Sequence, residues 1–116
     1  MIVRNFIRAL TEREGYFINR IRLTPKNRSV YEITGKLNCL LSLHYISHSP
    51  YRWGVTANVV EKLREQSKPW AVVLFFGSYN KGYFLPSPDV IYYTENVWPL
   101  AEDGDYKPAA PGSYLS

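Results

Sequence analysis

The sequence has a single cysteine, Cys39, among its 116 residues. One thiol cannot form an internal disulfide, so the chain is not a disulfide-stapled scaffold, and a reducing compartment suits it. Cys39 lies in an apolar run where nothing nearby would stabilise a thiolate. We therefore interpret it as an inert buried thiol and not as a nucleophile.

Long apolar runs and several enzyme signatures are also missing. No apolar stretch approaches the ~20 residues that a membrane helix needs. The opening Met-Ile-Val-Arg is not followed by the features of a secretory signal peptide, so we expect a cytoplasmic protein. The chain contains no glycine loop of the P-loop or dinucleotide-binding type, no cysteine pair and no nucleophile-elbow serine.

The composition is that of one globular domain with many aromatic residues. A chain of 116 residues, 46% apolar and 21% charged, is long enough for one hydrophobic core and too short for two ordinary domains. The aromatic share is 16%, with ten tyrosines and three tryptophans. Tyrosine and tryptophan bury a ring while keeping a polar atom wet, so this surplus suits a binding surface as well as a core.

The charges are sorted by sign along the chain. Residues 1–81 contain 13 Lys/Arg and 5 Asp/Glu, a balance of +8, whereas residues 82–116 contain 1 Lys and 5 Asp/Glu, a balance of −4. A solvated surface needs charges but does not need them sorted. This sorting favours a polyanion as the partner.

The hydrophobic pattern predicts an α+β fold in one domain, with a helix followed by a three-stranded antiparallel sheet, a second helix and further strands. Apolar residues at helical spacing predict a first helix over residues 2–14, ended by Gly15. Strands are expected at about 16–23, 29–34 and 37–47, then a helix after Thr56, a strand at 70–76, a short strand at 83–85 and another, at an edge, at 90–93. In the third strand we expect one fully apolar, core-facing side. Residues 1–97 form the predicted core, and 98–116 a weakly structured, acidic and proline-rich tail.

The order helix, three strands, helix, strand resembles the common core of the PD-(D/E)XK (restriction-endonuclease-like) nuclease superfamily over roughly residues 2–85. This resemblance is one of element order. It implies a metal-dependent phosphodiesterase, in which two acidic side chains hold Mg²⁺ and a nearby lysine helps to activate water. It also implies duplex DNA as the partner and a homodimer, since a duplex has two strands to address.

The residues depart from the pattern of that family. Its Glu-x-Lys on the third strand is replaced by Ser-Leu-His, and the only acidic strand residue is Glu32. Lys36 lies four positions later, about 13 Å away along a continuous strand. We therefore predict either a rearranged site in which Glu32 and Glu14 (or its neighbour Glu12) bind Mg²⁺ beside Lys36, or a binding surface without cleavage.

Basic residues around the first hairpin carry the binding prediction. Arginine and lysine on a protruding hairpin match the regular charge of a phosphate backbone, and a loop with a guanidinium and aromatic rings suits stacking on bases. The residues predicted to bind nucleic acid are Arg20, Arg22, Lys26, Arg28, Arg52, Trp53 and Lys81.

Two other functions remain open at this point. A protein-interaction module or accessory subunit would explain the sorted charges if the acidic tail folded over the basic face. A small-molecule or peptide enzyme could use His44 or His48 as a general base, although the spacing of these two residues favours structural histidines over a metal pair. Asp103 and Asp105 lack the remaining ligands of a calcium loop.

Overall fold

The structure, a computed structural model, describes residues 2–25, 27–46 and 53–108. Its elements in chain order are α1 (Ile2–Glu14), β1 (Phe17–Arg20), β2 (Val30–Thr34), β3 (Cys39–Ile46), β4 (Val55–Thr56), α2 (Ala57–Arg64), β5 (Trp70–Phe76), β6 (Gly82–Pro86), α3 (Ser87–Asn96) and β7 (Asp105–Tyr106). The α+β class and the predicted order helix, three strands, helix, strand are confirmed.

Helix α1 follows from its amphipathic pattern. Ile2, Val3, Phe6, Ile7 and Leu10 all pack on the sheet, as the i, i+3, i+4 spacing predicts. Gly15 has a φ of 72°, in the left-handed region that ends helices, and the amide of Tyr16 donates a hydrogen bond back to the Leu10 carbonyl. The predicted stop at Gly15 is confirmed.

The main sheet has five strands in the order β1-β2-β3-β5-β6. Strands β1, β2 and β3 form an antiparallel meander, β3 and β5 are parallel, and β6 is antiparallel to β5. A parallel pair requires a crossover, and α2 lies within the β3–β5 connection. One end of the sheet therefore collects the ends of β1, β3 and β5 and the beginnings of β2 and β6. We call it the cleft end, because a cleft lies there.

Helices cover both faces of the sheet. The α1 face holds Tyr31, Ile33 and Leu41 beneath α1, and the opposite face, called the α2 face, packs against α2 and α3. Because β3 lies between the two layers, Leu40 and Ser42 on its α2 face are buried, and so are Leu41 and Leu43 on its α1 face. The expected apolar side faces the core at Leu41 and Leu43, and the opposite side of the strand is buried as well.

The segment expected to form an edge strand at 90–93 is instead part of α3. Ser87, Pro88 and Asp89 begin this helix. Proline suits the first turn of a helix, where its missing N–H has no intrahelical partner, and Asp89 places negative charge at the positive end of the helix. Val90 then points into the core.

Residues 98–108 are more ordered than the sequence suggests. Trp98 is 4% exposed and stacks on Tyr93, while β7 pairs with β4 and Pro108 is fully buried. The prediction of a weakly structured tail is wrong for this part, because an aromatic anchor and a strand pairing tie it to the core. Residues 109–116 lie outside the described residues.

The three helices in the described part of the chain contain 13, 8 and 10 residues. None of them combines the length and the apolar character that crossing a bilayer requires.

Candidate nucleic-acid interface

A cleft of about 660 Å³ lies at the cleft end of the sheet. It straddles the sheet, so residues from both faces line it. Val3 and Tyr45 belong to the α1 side, whereas Ser29 and His44 line the other side. The lining also includes three arginines, Arg4, Arg20 and Arg28, and no acidic residue among those that the structure describes.

The three arginines come from separate segments. Arg4 is in the first turn of α1, Arg20 ends β1, and Arg28 precedes β2. All three are exposed, and within residues 2–25, 27–46 and 53–108 none has a carboxylate within 4.0 Å. A guanidinium offers a planar fork of donors that matches a phosphate group. The cleft therefore has the charge and the donors of an anion site.

Arg20 is held in place by Tyr31. Its guanidinium donates a hydrogen bond to the Tyr31 hydroxyl, with a nitrogen–oxygen distance of 3.1 Å, and lies 5.5 Å from the centre of the Tyr31 ring. The two residues are direct partners in the β1–β2 register, which places both side chains on the α1 face. This cation–π contact leaves the remaining N–H groups of Arg20 available for an anion.

A chain of polar side chains connects the cleft to the sheet interior. Asn27 Oδ1 accepts hydrogen bonds from both the backbone N–H and the hydroxyl of Ser29, at 2.8 and 2.7 Å. Ser29 Oγ lies 3.0 Å from Ser42 Oγ, and Ser42 Oγ lies 2.7 Å from His44 Nε2. The Ser29 hydroxyl proton is used in the bond to Asn27, so the Ser42 hydroxyl must donate to Ser29. Ser42 then has no proton left for His44, and His44 Nε2–H must donate to Ser42.

Burial lowers the pKa of His44 to about 4, because the charged imidazolium loses hydration there. A hydrogen bond with the Gly54 backbone raises the pKa, but by less. The ring is therefore neutral at pH 7. The expectation of a hydrogen-bonded structural histidine agrees with this environment, whereas His48 lies outside the described residues.

The α1 side of the cleft also holds apolar residues. Val3 and Ile7 of α1 line it together with Leu43, and so does the Tyr45 side chain, with 49% of its surface exposed. The Tyr45 ring makes no contact with another ring in the described part of the chain. The cleft thus presents arginines and apolar residues next to each other.

The structure separates the basic residues that the sequence grouped together. Arg20 and Arg28 both line the cleft, whereas the exposed Arg22 points to the Pro25 carbonyl. Lys81 lies in the β5–β6 turn, at the same end of the sheet but outside the cleft lining. Lys26 and Arg52 lie outside the described residues.

Trp53 is not the exposed ring that the sequence suggests. It is 2% exposed, and its indole N–H donates a hydrogen bond to the Phe75 carbonyl at 2.8 Å. A ring so enclosed cannot stack on a base. The prediction that Trp53 contacts nucleic acid is therefore wrong, because this residue completes the α2-face core.

The predicted catalytic residues do not come together. Glu32 is on the α2 face of β2, where it forms an ion pair with Lys68. Glu14 ends α1, which covers the other face. Lys36 is an exposed residue of the β2–β3 turn, at the end of the sheet away from the cleft. The rearranged site of Glu32, Lys36 and Glu14 is not formed, and these residues do not fit a Mg²⁺ ion.

Acidic residues elsewhere do not form an alternative centre. No group of three or more His, Cys, Asp or Glu side chains suited to a metal ion occurs within the described ranges. Asp103 and Asp105 instead pair with Lys107, at 2.9 and 3.8 Å. The hydrogen bond from Lys107 is the main reason that the pKa of Asp103 lies below its usual value.

Sequence reasoning missed three residues of the cleft: Arg4, Ser29 and Tyr45. The signal for Arg4 was its place on the polar side of a basic helix, and the signal for Ser29 was its position next to Arg28. Tyr45 had no such signal, since it comes near the hairpin only when β3 is placed beside β2.

Comparison of the chain with protein-family models and with curated proteins gives no match. The resemblance to the PD-(D/E)XK superfamily therefore stays a prediction from element order.

Proposed function

We propose that this protein binds nucleic acid through the cleft, with Arg4, Arg20 and Arg28 contacting backbone phosphates. One observation carries the proposal: three arginines from separate segments line one concavity without an acidic residue among them. Arginines that served only to hydrate the surface would not need to converge. A phosphodiester backbone offers repeated negative charges that such a cluster can neutralise.

The test is the salt dependence of DNA binding. With three phosphates contacted, affinity falls roughly 20- to 40-fold between 50 and 200 mM salt, since each contact releases about 0.7–0.9 of a counterion. Replacing the three arginines together by glutamine is expected to weaken binding at least tenfold at 50 mM salt and to flatten the salt response, at about one unit of slope per arginine.

Arg64→Gln provides a control of equal charge change. Arg64 is the last residue of α2, roughly 12 Å along the helix from Thr56 at the cleft, given a rise of 1.5 Å per residue. Its ion pair with Glu95 is exposed, so its loss costs little stability. Equal weakening by Arg64→Gln and by a single cleft substitution would mean that only net charge matters and would contradict the proposal.

A further inference from the structure

We infer that the cleft takes an unpaired nucleotide, so that the preferred ligand is single-stranded nucleic acid. This inference deepens the proposed function and rests on it. The observation behind it is that the cleft holds, beside the arginines, a group of apolar residues with one exposed aromatic ring: Val3, Ile7, Leu43 and Tyr45. Phosphate binding alone does not explain this second surface.

A nucleotide has the same two-part character as the cleft. Its phosphate carries charge, and its base has an apolar, polarisable face that stacks on aromatic side chains. In a duplex the bases are stacked on one another, and a protein reaches a base face only after the nucleotide leaves the stack. A duplex would therefore contact the arginines and leave the apolar residues of the cleft without a partner.

The dimensions of the cleft agree with a small ligand group. Its volume of about 660 Å³ lies within the ~300–1,000 Å³ of clefts that enclose small molecules. Reading a duplex groove instead needs an element that protrudes, such as a helix or a β-ribbon. A cleft instead accepts a nucleotide that extends out of the nucleic-acid strand.

Tyr45 is the residue that we assign to the base. It is 49% exposed, lines the cleft and makes no ring contact within the described ranges. Arg20 lies on the same face as Tyr45, held against Tyr31. An aromatic ring and a fixed guanidinium on one face can contact a base and its phosphate at the same time. This assigns to Tyr45 the role that the sequence suggested for Trp53.

The experiment uses three labelled DNA probes with the full chain: a dT10 strand, a strand of the same length with abasic sites throughout, and a blunt 10-base-pair duplex. We expect the protein to bind dT10 about tenfold more tightly than the abasic strand, given the 1–3 kcal/mol that one stacked base contributes. We also expect it to bind dT10 more tightly than the duplex at equal salt.

Tyr45→Ala is expected to lower affinity for dT10 to that for the abasic strand, and to leave the abasic strand unaffected. Tyr45→Phe retains the ring and is expected to retain the preference. Tyr92→Ala, which removes another exposed tyrosine on α3, serves as the matched control and is expected to change neither affinity.

Three results would overturn the inference: equal affinity for base-bearing and abasic strands, a preference for the duplex, or an equal loss on both strands in Tyr45→Ala. Each of these leaves the proposed function intact as long as binding depends on salt and on the three arginines. Failure to bind any of the three probes overturns both.

Discussion

The charged residues of the cleft and those of the C-terminal segment, residues 98–108, differ in their partners. In the C-terminal segment Lys107 forms ion pairs with Asp103 and Asp105, so part of the negative charge is compensated locally. In the cleft Arg4 and Arg28 have no carboxylate partner in the described part of the chain. Within the residues that the structure describes, no ion pair therefore joins the acidic segment to the arginines of the cleft.

This difference bears directly on why the charges are sorted along the sequence. If the sorted charges served to join the two ends of the chain, ion pairs would connect the C-terminal segment to the first hairpin. The segment is held instead by aromatic packing around Trp98 and by the pairing of β7 with β4. The arginines of the cleft form no ion pair with this segment among the described residues, which favours the binding proposal over an accessory module masked by its own tail.

The strongest test of this comparison is removal of the aromatic anchor. Trp98→Ala is expected to lower the free energy of unfolding by about 3–5 kcal/mol, the range for a large aromatic residue removed from a core. Urea denaturation followed by circular dichroism measures it. Trp98→Phe is expected to keep most of the stability, since the buried indole N–H has no hydrogen-bond partner among the described residues.

Leu100→Ala is the matched control in the same segment, because Leu100 is 58% exposed. Its effect is expected to stay within about 0.5 kcal/mol. A small effect of Trp98→Ala, comparable with that of Leu100→Ala, would show that the segment is not anchored by packing.

The second test concerns the buried side of the cleft. The unfolded His44 titrates near 6.5 and the folded one near 4, so the unfolded state binds more protons as the pH falls through this window. Stability therefore decreases on acidification, by about 2 kcal/mol from this group between pH 7.5 and 5. Urea titrations at the two pH values measure the loss.

His44→Gln is expected to be less stable at pH 7.5, because it disturbs the hydrogen-bond chain to Ser42, but to lose much less stability on acidification. The carboxylates still titrate in the variant, so the comparison isolates the imidazole. An equal loss in both proteins between pH 7.5 and 5 would contradict the neutral state of His44.

The smallest expected effect is local to the C-terminal segment. Lys107→Gln removes the hydrogen bond that lowers the pKa of Asp103, so this pKa is expected to rise toward its usual value. A carboxyl titration by NMR detects the change. Affinity for DNA is expected to be unaffected by this substitution; clear weakening would connect the segment to the binding surface after all.

Much of the fold was predictable because it depends on local patterns. The amphipathic spacing of α1 with Gly15 after it, and the continuous apolar run from Trp70 to Phe76, each specify an element without reference to the rest of the chain. The errors occurred where a short segment suits two structures. Residues 90–93 are rich in strand formers, yet the preceding Ser87-Pro88-Asp89 begins a helix that includes them.

The candidate site was less predictable for a related reason. Arg20 and Arg28 were found because they are close in sequence and flank one turn. Tyr45 and His44 were not connected to them, since β3 comes to lie beside β2 only through long-range strand pairing. Trp53 was misplaced because an aromatic residue in a loop can pack inward as readily as it can face solvent.

The amino-acid pattern was enough to predict one α+β domain, a single free thiol, and an excess of positive charge in the first two-thirds of the chain. Composition and periodicity are local properties, and they persist whatever the chain packs against. Which charges come together depends instead on the tertiary structure. It joined Arg4, Arg20 and Arg28 around one cleft, separated Glu32 from Glu14 by a sheet, and buried Trp53, because strand register and helix placement set the distances between residues far apart in sequence.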